Sequence, residues 1–154
     1  MEQTTGLLLF LPTLYPATIL KLPMLLAAIR RLFSGDYYVQ IHENRYVINS
    51  LDKPGESRSF PARDAFSTSR LLVGHFIVAE TLLRASLRQM NGRSRLKSYR
   101  LIMHPRDKVD GGLCEVEMRV LQDLAHGAGA HDAIVWEKEP LSTGQARALW
   151  NTPK

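Results

Sequence analysis

Large β-forming residues alternate with polar ones in the segment DYYVQIHENRYVINSLDKPGESRSFPARDAF. A period of two is typical of half-buried strands, and it predicts two of them at about 36–42 and 45–51, joined by a tight turn at HENR. The sequence DKPGES predicts a second turn, because proline followed by glycine ends a strand and permits the positive φ of a return. A third short strand at about 57–61 then completes an antiparallel meander.

The next segment, TSRLLVGHFIVAETLLRASLRQM, repeats its large residues at spacings of three and four. This period predicts an amphipathic helix from about 70 to 90 that ends at NGRS. The residues predicted to face the core are Leu72, Phe76, Ala79, Leu83 and Leu87.

A second amphipathic helix is predicted in LCEVEMRVLQDLAHGAG, where Gly127 and Gly129 end the pattern. Its predicted inward residues are Leu113, Val116, Val120, Leu121 and Leu124. The strand YRLIMHP precedes this helix, and the strand DAIVWEK and the helix TGQARALW follow it. Parallel neighbours need a connection of a dozen or more residues, so helices between strands act as crossovers. We therefore predict an α/β fold with a mixed five-stranded sheet, in which two parallel strands join the antiparallel meander.

The N-terminal region differs from the rest of the chain. Residues 1–23 are an apolar, proline-containing extension that matches neither a secretory signal nor an uninterrupted membrane span, and we expect Met24 to be the natural start. Residues 24–35 predict an amphipathic helix flanked by Arg30 and Arg31. Its candidate membrane-facing residues are Leu25, Leu26, Ile29, Leu32 and Phe33. Such a helix either lies on an anionic membrane surface or packs on its own domain.

Composition favours a single soluble globular domain over residues 36–154, because 45% of the 154 residues are hydrophobic and 23% are charged. The lone Cys114 cannot form an internal disulfide, which suits a reducing compartment, and we expect the protein in the cytoplasm or on the inner face of the cytoplasmic membrane. Cys114 lies at a predicted helix N-terminus, so a redox-sensing thiol is the alternative to ordinary packing.

The net charge of +5 is concentrated in RASLRQMNGRSRLKSYR, which contains no acidic residue. The cations of this candidate binding patch are Arg84, Arg88, Arg93, Arg95, Lys97 and Arg100. A basic segment of this kind forms either solvated surface or a site for phosphate or an acidic partner. Tyr99 is the single aromatic residue there, whereas single-strand nucleic-acid binding uses several stacking rings.

Segments of the chain between Met24 and Leu141 resemble the N-terminal half of bacterial actin-like cell-shape proteins of the MreB type. The most specific segment is GGLCEVEMRVLQDLAHGAGAHDAIVWEKEP. The residues that it shares with the family are Val116, Glu117, Arg119, Gly127, Ala128, Gly129, Ala130, Glu139 and Pro140. The segments RLLVGHFIVAE and GGLCEVEMRVL also resemble small bacterial proteins of the YjaA type, which we take as the closer relatives. The resemblance implies a ribonuclease-H-like, actin-type subdomain.

The resemblance also identifies where a phosphate loop is expected and how this chain departs from it. The family motif DLGTANT corresponds here to QIHENRYV, in which Gln40 replaces the aspartate, His42 the glycine and Glu43 the threonine. A bulky ring hinders close backbone approach, and an acidic side chain repels phosphate. We therefore expect no nucleotide cofactor. Glu117 matches the family glutamate that orients the attacking water, but without phosphate ligands we expect it to be inactive on a helix surface.

Other chemistries have weaker support in the sequence. None of the five histidines has a cysteine or carboxylate partner at metal-ligand spacing, so we predict neither a metal site nor a catalytic residue. We expect a non-enzymatic interaction or regulatory protein whose partner is a protein, either an actin-like filament protein or a second copy. An anionic membrane surface is a further expected partner. A nucleic-acid binding module built on residues 84–100 is the alternative, and a residual nucleotide-binding ATPase is less favoured.

Overall fold

The computed structural model describes residues 34–92 and 98–152, all of which belong to one compact unit. The predicted N-terminal extension and the predicted membrane-facing residues lie outside this part of the chain. The strands are β1 (Ser34–His42), β2 (Arg45–Ser50), β3 (Ser57–Pro61), β4 (Ser98–Pro105) and β5 (Ala130–Val135). The helices are α1 (Phe76–Asn91), α2 (Glu115–Gly127) and α3 (Thr143–Asn151). Among the described residues, no helix has the length and apolar character that crossing a bilayer requires.

The five strands form one mixed sheet in the order β3-β2-β1-β4-β5. The pairs β1–β2 and β2–β3 are antiparallel, whereas β1–β4 and β4–β5 are parallel. The predicted fold class and meander are therefore confirmed. β1 is the central strand, with Val39 paired to Ile48 on one side and to Met103 on the other. It begins two residues earlier than predicted, since Ser34 and Gly35 already belong to the strand.

One face of the sheet holds most of the core. Val39 and Ile41 of β1 are fully buried there beneath α1 and α2. Tyr46 of β2 stacks on Phe66 with ring centroids 5.1 Å apart, and its hydroxyl donates to the Ala79 carbonyl at 3.1 Å. The opposite face has a smaller cluster. It contains Tyr38, Leu51, Ile102, Ala146, Ile134, Trp136, Leu141, Leu149 and Trp150.

The predicted start of α1 at residue 70 is wrong, because α1 begins at Phe76. Leu72 is nevertheless buried, so its agreement with the helical period reflects a tertiary contact. The chain before α1 forms a tight loop in which Gly74 N and His75 N both donate to the Phe66 carbonyl. A Cβ on Gly74 would lie 2.3 Å from the Thr68 methyl group, so only glycine fits this loop without rearrangement.

The predicted inward face of α2 is partly wrong. Leu121 and Leu124 are buried as expected, and Leu113 packs against the core. Val116, however, is 70% exposed, because it lies about 140° around the helix axis from the buried Leu121. Val116 is therefore available at the surface.

Candidate interaction surface

The β1–β2 turn, where the resemblance places a phosphate loop, is occupied by contacts within the chain. Asn44 adopts a positive φ of 54°, and its backbone N–H donates to Ser67 Oγ at 3.2 Å. The backbone N–H of Glu43 donates to Asp107 Oδ2 at 2.8 Å. Asp107 also lies 3.4 Å from His42 Nδ1. The two turn amides therefore bind side chains of the protein itself.

The Asn44 side chain connects this turn to the loop that precedes α1. Its Oδ1 accepts hydrogen bonds from Phe66 N at 2.9 Å and from Ser67 N at 2.8 Å. The Ser67 hydroxyl in turn donates to the Leu72 carbonyl at 2.6 Å. Asn44 thereby fixes the loop that carries Leu71 and Leu72. Gln40, which the resemblance aligns with an aspartate, is half-buried near the end of β1.

Glu117 has a structural role at the N-terminus of α2. Its Oε2 accepts from the backbone N–H of Cys114 at 2.9 Å, which forms the carboxylate half of a capping box. Cys114 is the N-cap residue and is exposed. A carboxylate in the first turn also interacts favourably with the helix dipole. Glu117 thus stabilises the helix end that carries Val116.

The predicted basic patch is not a set of equivalent free cations. Arg84 forms an ion pair with Glu80 and donates to the Gly127 carbonyl at 2.6 Å. Arg100 forms a bidentate ion pair with Asp36, and the hydrogen bonds of this pair raise the pKa of Arg100. The Arg100 guanidinium also lies 4.9 Å from the Trp150 ring centroid. Arg88 is exposed. The remaining predicted cations, Arg93, Arg95 and Lys97, lie outside the described residues.

The histidines have partners of other kinds. His126 Nδ1 donates to the Ala130 carbonyl at 3.0 Å, and His131 Nδ1 lies 2.7 Å from Ser98 Oγ. His104 is buried and hydrogen-bonded to the Tyr38 hydroxyl. Within residues 34–92 and 98–152, histidine, cysteine and carboxylate side chains form no group of three that could hold a metal ion.

An apolar groove lies between the first turns of α2 and two loops. We call it the Leu71–Val116 groove, and its volume is about 90 Å³. Leu72 and Leu121 are buried beneath it, whereas Leu71 is 46% exposed and Val116 is 70% exposed. The lining residues are Leu71, Leu72, Val73, Lys108, Leu113, Val116, Glu117, Val120 and Leu121. No motif or period in the sequence marks this groove as a site.

The charged residues of the groove already have partners, so its lining is apolar in effect. Lys108 Nζ lies 2.7 Å from Glu43 Oε1 and donates to the Ser69 carbonyl at 3.1 Å. Glu117 caps α2. Between Lys108 and Leu113, which both line the groove, the chain turns at Gly111 and Gly112. Both residues have φ near +86°, a conformation that favours glycine. The two consecutive glycines are the local sequence feature that indicates this turn.

A second apolar surface follows the outer side of α1. Ile77 is 73% exposed, and a groove of about 340 Å³ separates this side of the helix from residues 62–64. Its lining residues are Ala62, Arg63, Asp64, Ile77, Val78, Thr81, Leu82 and Ala85. The sequence also indicates this surface. The five lining residues that belong to α1 carry no charge, although none of them is among the residues predicted to face the core.

The fold defines an α/β domain with a mixed five-stranded sheet and helices on both faces. No protein-family model matches the sequence. The chain is similar to the uncharacterized protein YjaA of Escherichia coli (strain K12), with 31% identity over 97 residues that cover 59% of this chain and 74% of YjaA. The chain therefore belongs to the YjaA family, which confirms the resemblance to YjaA-type proteins.

Proposed function

We propose that this protein is a non-enzymatic interaction protein that binds an apolar segment of a protein partner in the Leu71–Val116 groove. The observation that carries the proposal is the clustering of exposed apolar residues. Three large hydrophobic side chains are exposed among the described residues, and two of them, Leu71 and Val116, line this one groove. Exposed apolar patches next to polar rims are typical of protein interaction sites.

The β1–β2 turn supports a function without nucleotide chemistry. Phosphate loops bind phosphate through free backbone N–H groups, often at a helix N-terminus. Here the N–H groups of Glu43 and Asn44 donate to Asp107 and Ser67, so neither is free to bind a phosphate. Glu117 caps α2 rather than facing a phosphate site. On this proposal the protein is a reduced, actin-like half-fold of the MreB type that has lost its phosphate loops.

The partner that we propose is an actin-like filament protein, with the inner membrane surface as a second contact through the N-terminal segment. Nucleic-acid binding is less favoured, because Arg84 and Arg100 of the basic segment pair with Glu80 and Asp36. A duplex or single strand would have to compete with these contacts, and the cations available to it are fewer than the sequence suggests.

Site-specific crosslinking in cells tests the groove. A photoreactive residue at Val116 should give one discrete crosslinked protein, identified by mass spectrometry, and the same residue at the exposed Arg119 should not. Adding Leu71→Asp to the Val116 probe should abolish the product, because a carboxylate in an apolar groove costs binding energy. A product that persists in Leu71→Asp, or the lack of any Val116-specific product, contradicts the proposal.

Thermal unfolding with ATP and magnesium tests the second part of the proposal. A ligand at a hundred times its dissociation constant adds about 2.7 kcal/mol of stability. We expect no change in melting temperature across a nucleotide titration of the full chain. A saturable rise would contradict the assignment of the β1–β2 turn as an inactive phosphate loop, while leaving the groove to its own experiment.

A further inference from the structure

Three basic residues lie side by side on three neighbouring strands at the end of β1. His42 is the last residue of β1 and pairs with Arg45 of β2. On the other side of β1, Arg106 follows Pro105, the partner of Ile41, and Arg106 N donates to the Ile41 carbonyl at 2.9 Å. Residues opposite each other in neighbouring strands direct their side chains to the same face of the sheet. These three residues therefore form a row, which we call the Arg45–Arg106 row.

The Arg45–Arg106 row lies on the sheet face that carries α3, but beyond the part that α3 covers. The apolar cluster under α3 includes Tyr38 of β1 and Ile102 of β4. His42 and Arg106 are each four residues further along these strands, which is a distance of about 13 Å. The His42 side chain is 21% exposed, and Arg45 is exposed. A ligand can therefore reach the row from solvent.

The Arg106 guanidinium is half-buried and has no acceptor in the described part of the chain. Its Nη1 lies 3.5 Å from Nε2 of the buried His104. The Tyr38 hydroxyl accepts from Leu141 N and donates to Nδ1 of His104, so Nε2 carries the ring proton and is itself a donor. No carboxylate of the described residues lies within ion-pair distance of Arg106. Charges removed from water are ordinarily paired, so an anion is the partner that this guanidinium lacks.

The carboxylates beside the row have partners of their own. Asp107 Oδ2 accepts from Glu43 N at 2.8 Å and lies 3.4 Å from His42 Nδ1, which leaves Nε2 as the ring nitrogen directed away from Asp107. The Glu43 carboxylate lies 2.7 Å from Lys108 Nζ. Lys108 therefore balances Glu43, and Asp107 balances one of the two arginines of the row. With a neutral His42, the row has one positive charge in excess.

We propose that the Arg45–Arg106 row binds a single carboxylate, carried by a small organic acid or by a peptide, with the Arg106 guanidinium as its main contact. A guanidinium presents two parallel N–H donors that match the two oxygens of a carboxylate. The pair is stronger at a half-buried site than in bulk water, because the effective dielectric constant is lower. Arg45 adds a second positive charge at the exposed rim. The single excess charge balances a carboxylate, whereas a doubly charged phosphate exceeds it.

An NMR titration of the backbone amides of the full chain with sodium acetate, compared with sodium chloride at equal ionic strength, tests the proposal. Acetate should shift the signals of His42 and Arg106 saturably, and chloride should not. Arg106→Gln should weaken acetate binding at least about tenfold. Arg106→Lys keeps the charge but loses the paired donors, so it should weaken binding about three- to tenfold. Arg45→Gln, at an exposed position, should weaken it about threefold.

Arg88→Gln is the matched control, because it removes an exposed arginine from α1, which packs on the opposite face of the sheet. It should leave the affinity for acetate unchanged, and circular dichroism melts should show that every variant folds. N-acetyl-triglycine and its C-terminal amide distinguish the two sources of the carboxylate. Tighter binding of the peptide acid than of acetate, lost in the amide, assigns a peptide carboxylate, whereas equal affinities assign a small acid.

Shifts that do not saturate, that chloride reproduces or that persist in Arg106→Gln overturn the proposal. Tighter binding of inorganic phosphate than of acetate also overturns it. The Leu71–Val116 groove is formed by α2 and loops on the other face of the sheet, and crosslinking at Val116 tests it separately. Failure of the carboxylate site is therefore distinguishable from failure of the groove.

Discussion

The Tyr38 hydroxyl is hydrogen-bonded to Nδ1 of the buried His104, and the two rings stack with centroids 5.7 Å apart and an interplanar angle of 29°. The same hydroxyl accepts a hydrogen bond from Leu141 N at 3.3 Å, so it can donate its proton to the imidazole. This arrangement requires an unprotonated Nδ1 and hence a neutral histidine. The pair joins β1 and β4 to the segment that leads into α3.

Protonation of His104 should destabilise the fold. Burial lowers its pKa to about 4, with the Arg106 charge and then His42 acting in the same direction, while a backbone hydrogen bond with Lys138 opposes them. Because the unfolded histidine titrates near 6.5, the unfolded state binds the proton first as pH falls. Stability is complete above pH 6.5 and is lost between about pH 6.5 and 4, by up to about 3 kcal/mol.

Urea unfolding at several pH values measures this loss. His104→Gln should remove the part of the pH dependence that lies between pH 6.5 and 4, whereas His131→Gln, which alters an exposed histidine on β5, should retain it. An unchanged pH dependence in His104→Gln would contradict the assignment.

Asn44 should be important for stability although it lies in a turn. Asn44→Ala removes the acceptor for Phe66 N and Ser67 N and places alanine at a φ of 54°, so we expect a loss of about 2 to 3 kcal/mol. Asn44→Asp keeps an acceptor oxygen and should cost less than about 1 kcal/mol. Asn44→Gly relieves the backbone conformation without restoring the acceptor, and should lie between them. Chemical unfolding gives all three values, and equal losses for Asp and Ala would refute the hydrogen-bonding role.

The α/β order and the sheet were predictable because their signals are local. Alternation in DYYVQIH and RYVINS, together with the Pro-Gly turn, is sufficient for the meander. The start of α1 was not predictable, because Leu72 continues the helical period of the residues that follow it. The chain before α1 nevertheless forms a loop, in which backbone N–H groups donate to the Phe66 carbonyl. The Leu71–Val116 groove depends on two loops meeting α2, which periodicity cannot reveal. The outer face of α1 was detectable as a stripe of positions without charge.

Glu117 should behave as a helix cap and not as a catalytic group. Glu117→Ala should reduce stability by about 1 kcal/mol, because the Cys114 N–H loses its acceptor. Glu117→Gln retains an acceptor at the same position and should be within about 0.5 kcal/mol of wild type. Thermal unfolding provides the comparison. A water-orienting glutamate would instead give Ala and Gln variants that are equally defective in ATP turnover.

The Asp36–Arg100 ion pair should contribute more to stability than an exposed pair. Its side chains are only 15% and 26% exposed, and the guanidinium also lies over Trp150. Arg100→Ala should therefore cost about 2 kcal/mol, since it leaves Asp36 without its cation. The control is Arg119→Ala, which breaks an exposed pair with Asp123 and should cost at most about 0.5 kcal/mol. Equal losses in denaturant unfolding would argue against this ranking.

The place of β1 in the sheet affects how the protein is made. β1 pairs in parallel with β4, and the joined residues Asp36 and Arg100 are 64 positions apart. At about 5–20 residues per second, a ribosome needs about 3–13 s to synthesise that interval. In the later part of this time, after β3 has been made, the meander is complete without β4, and one side of β1, which is its edge strand, offers unpaired backbone groups. Nascent chains of this protein therefore pass through a stage at which chaperones, or the same edge of another nascent chain, compete for β1.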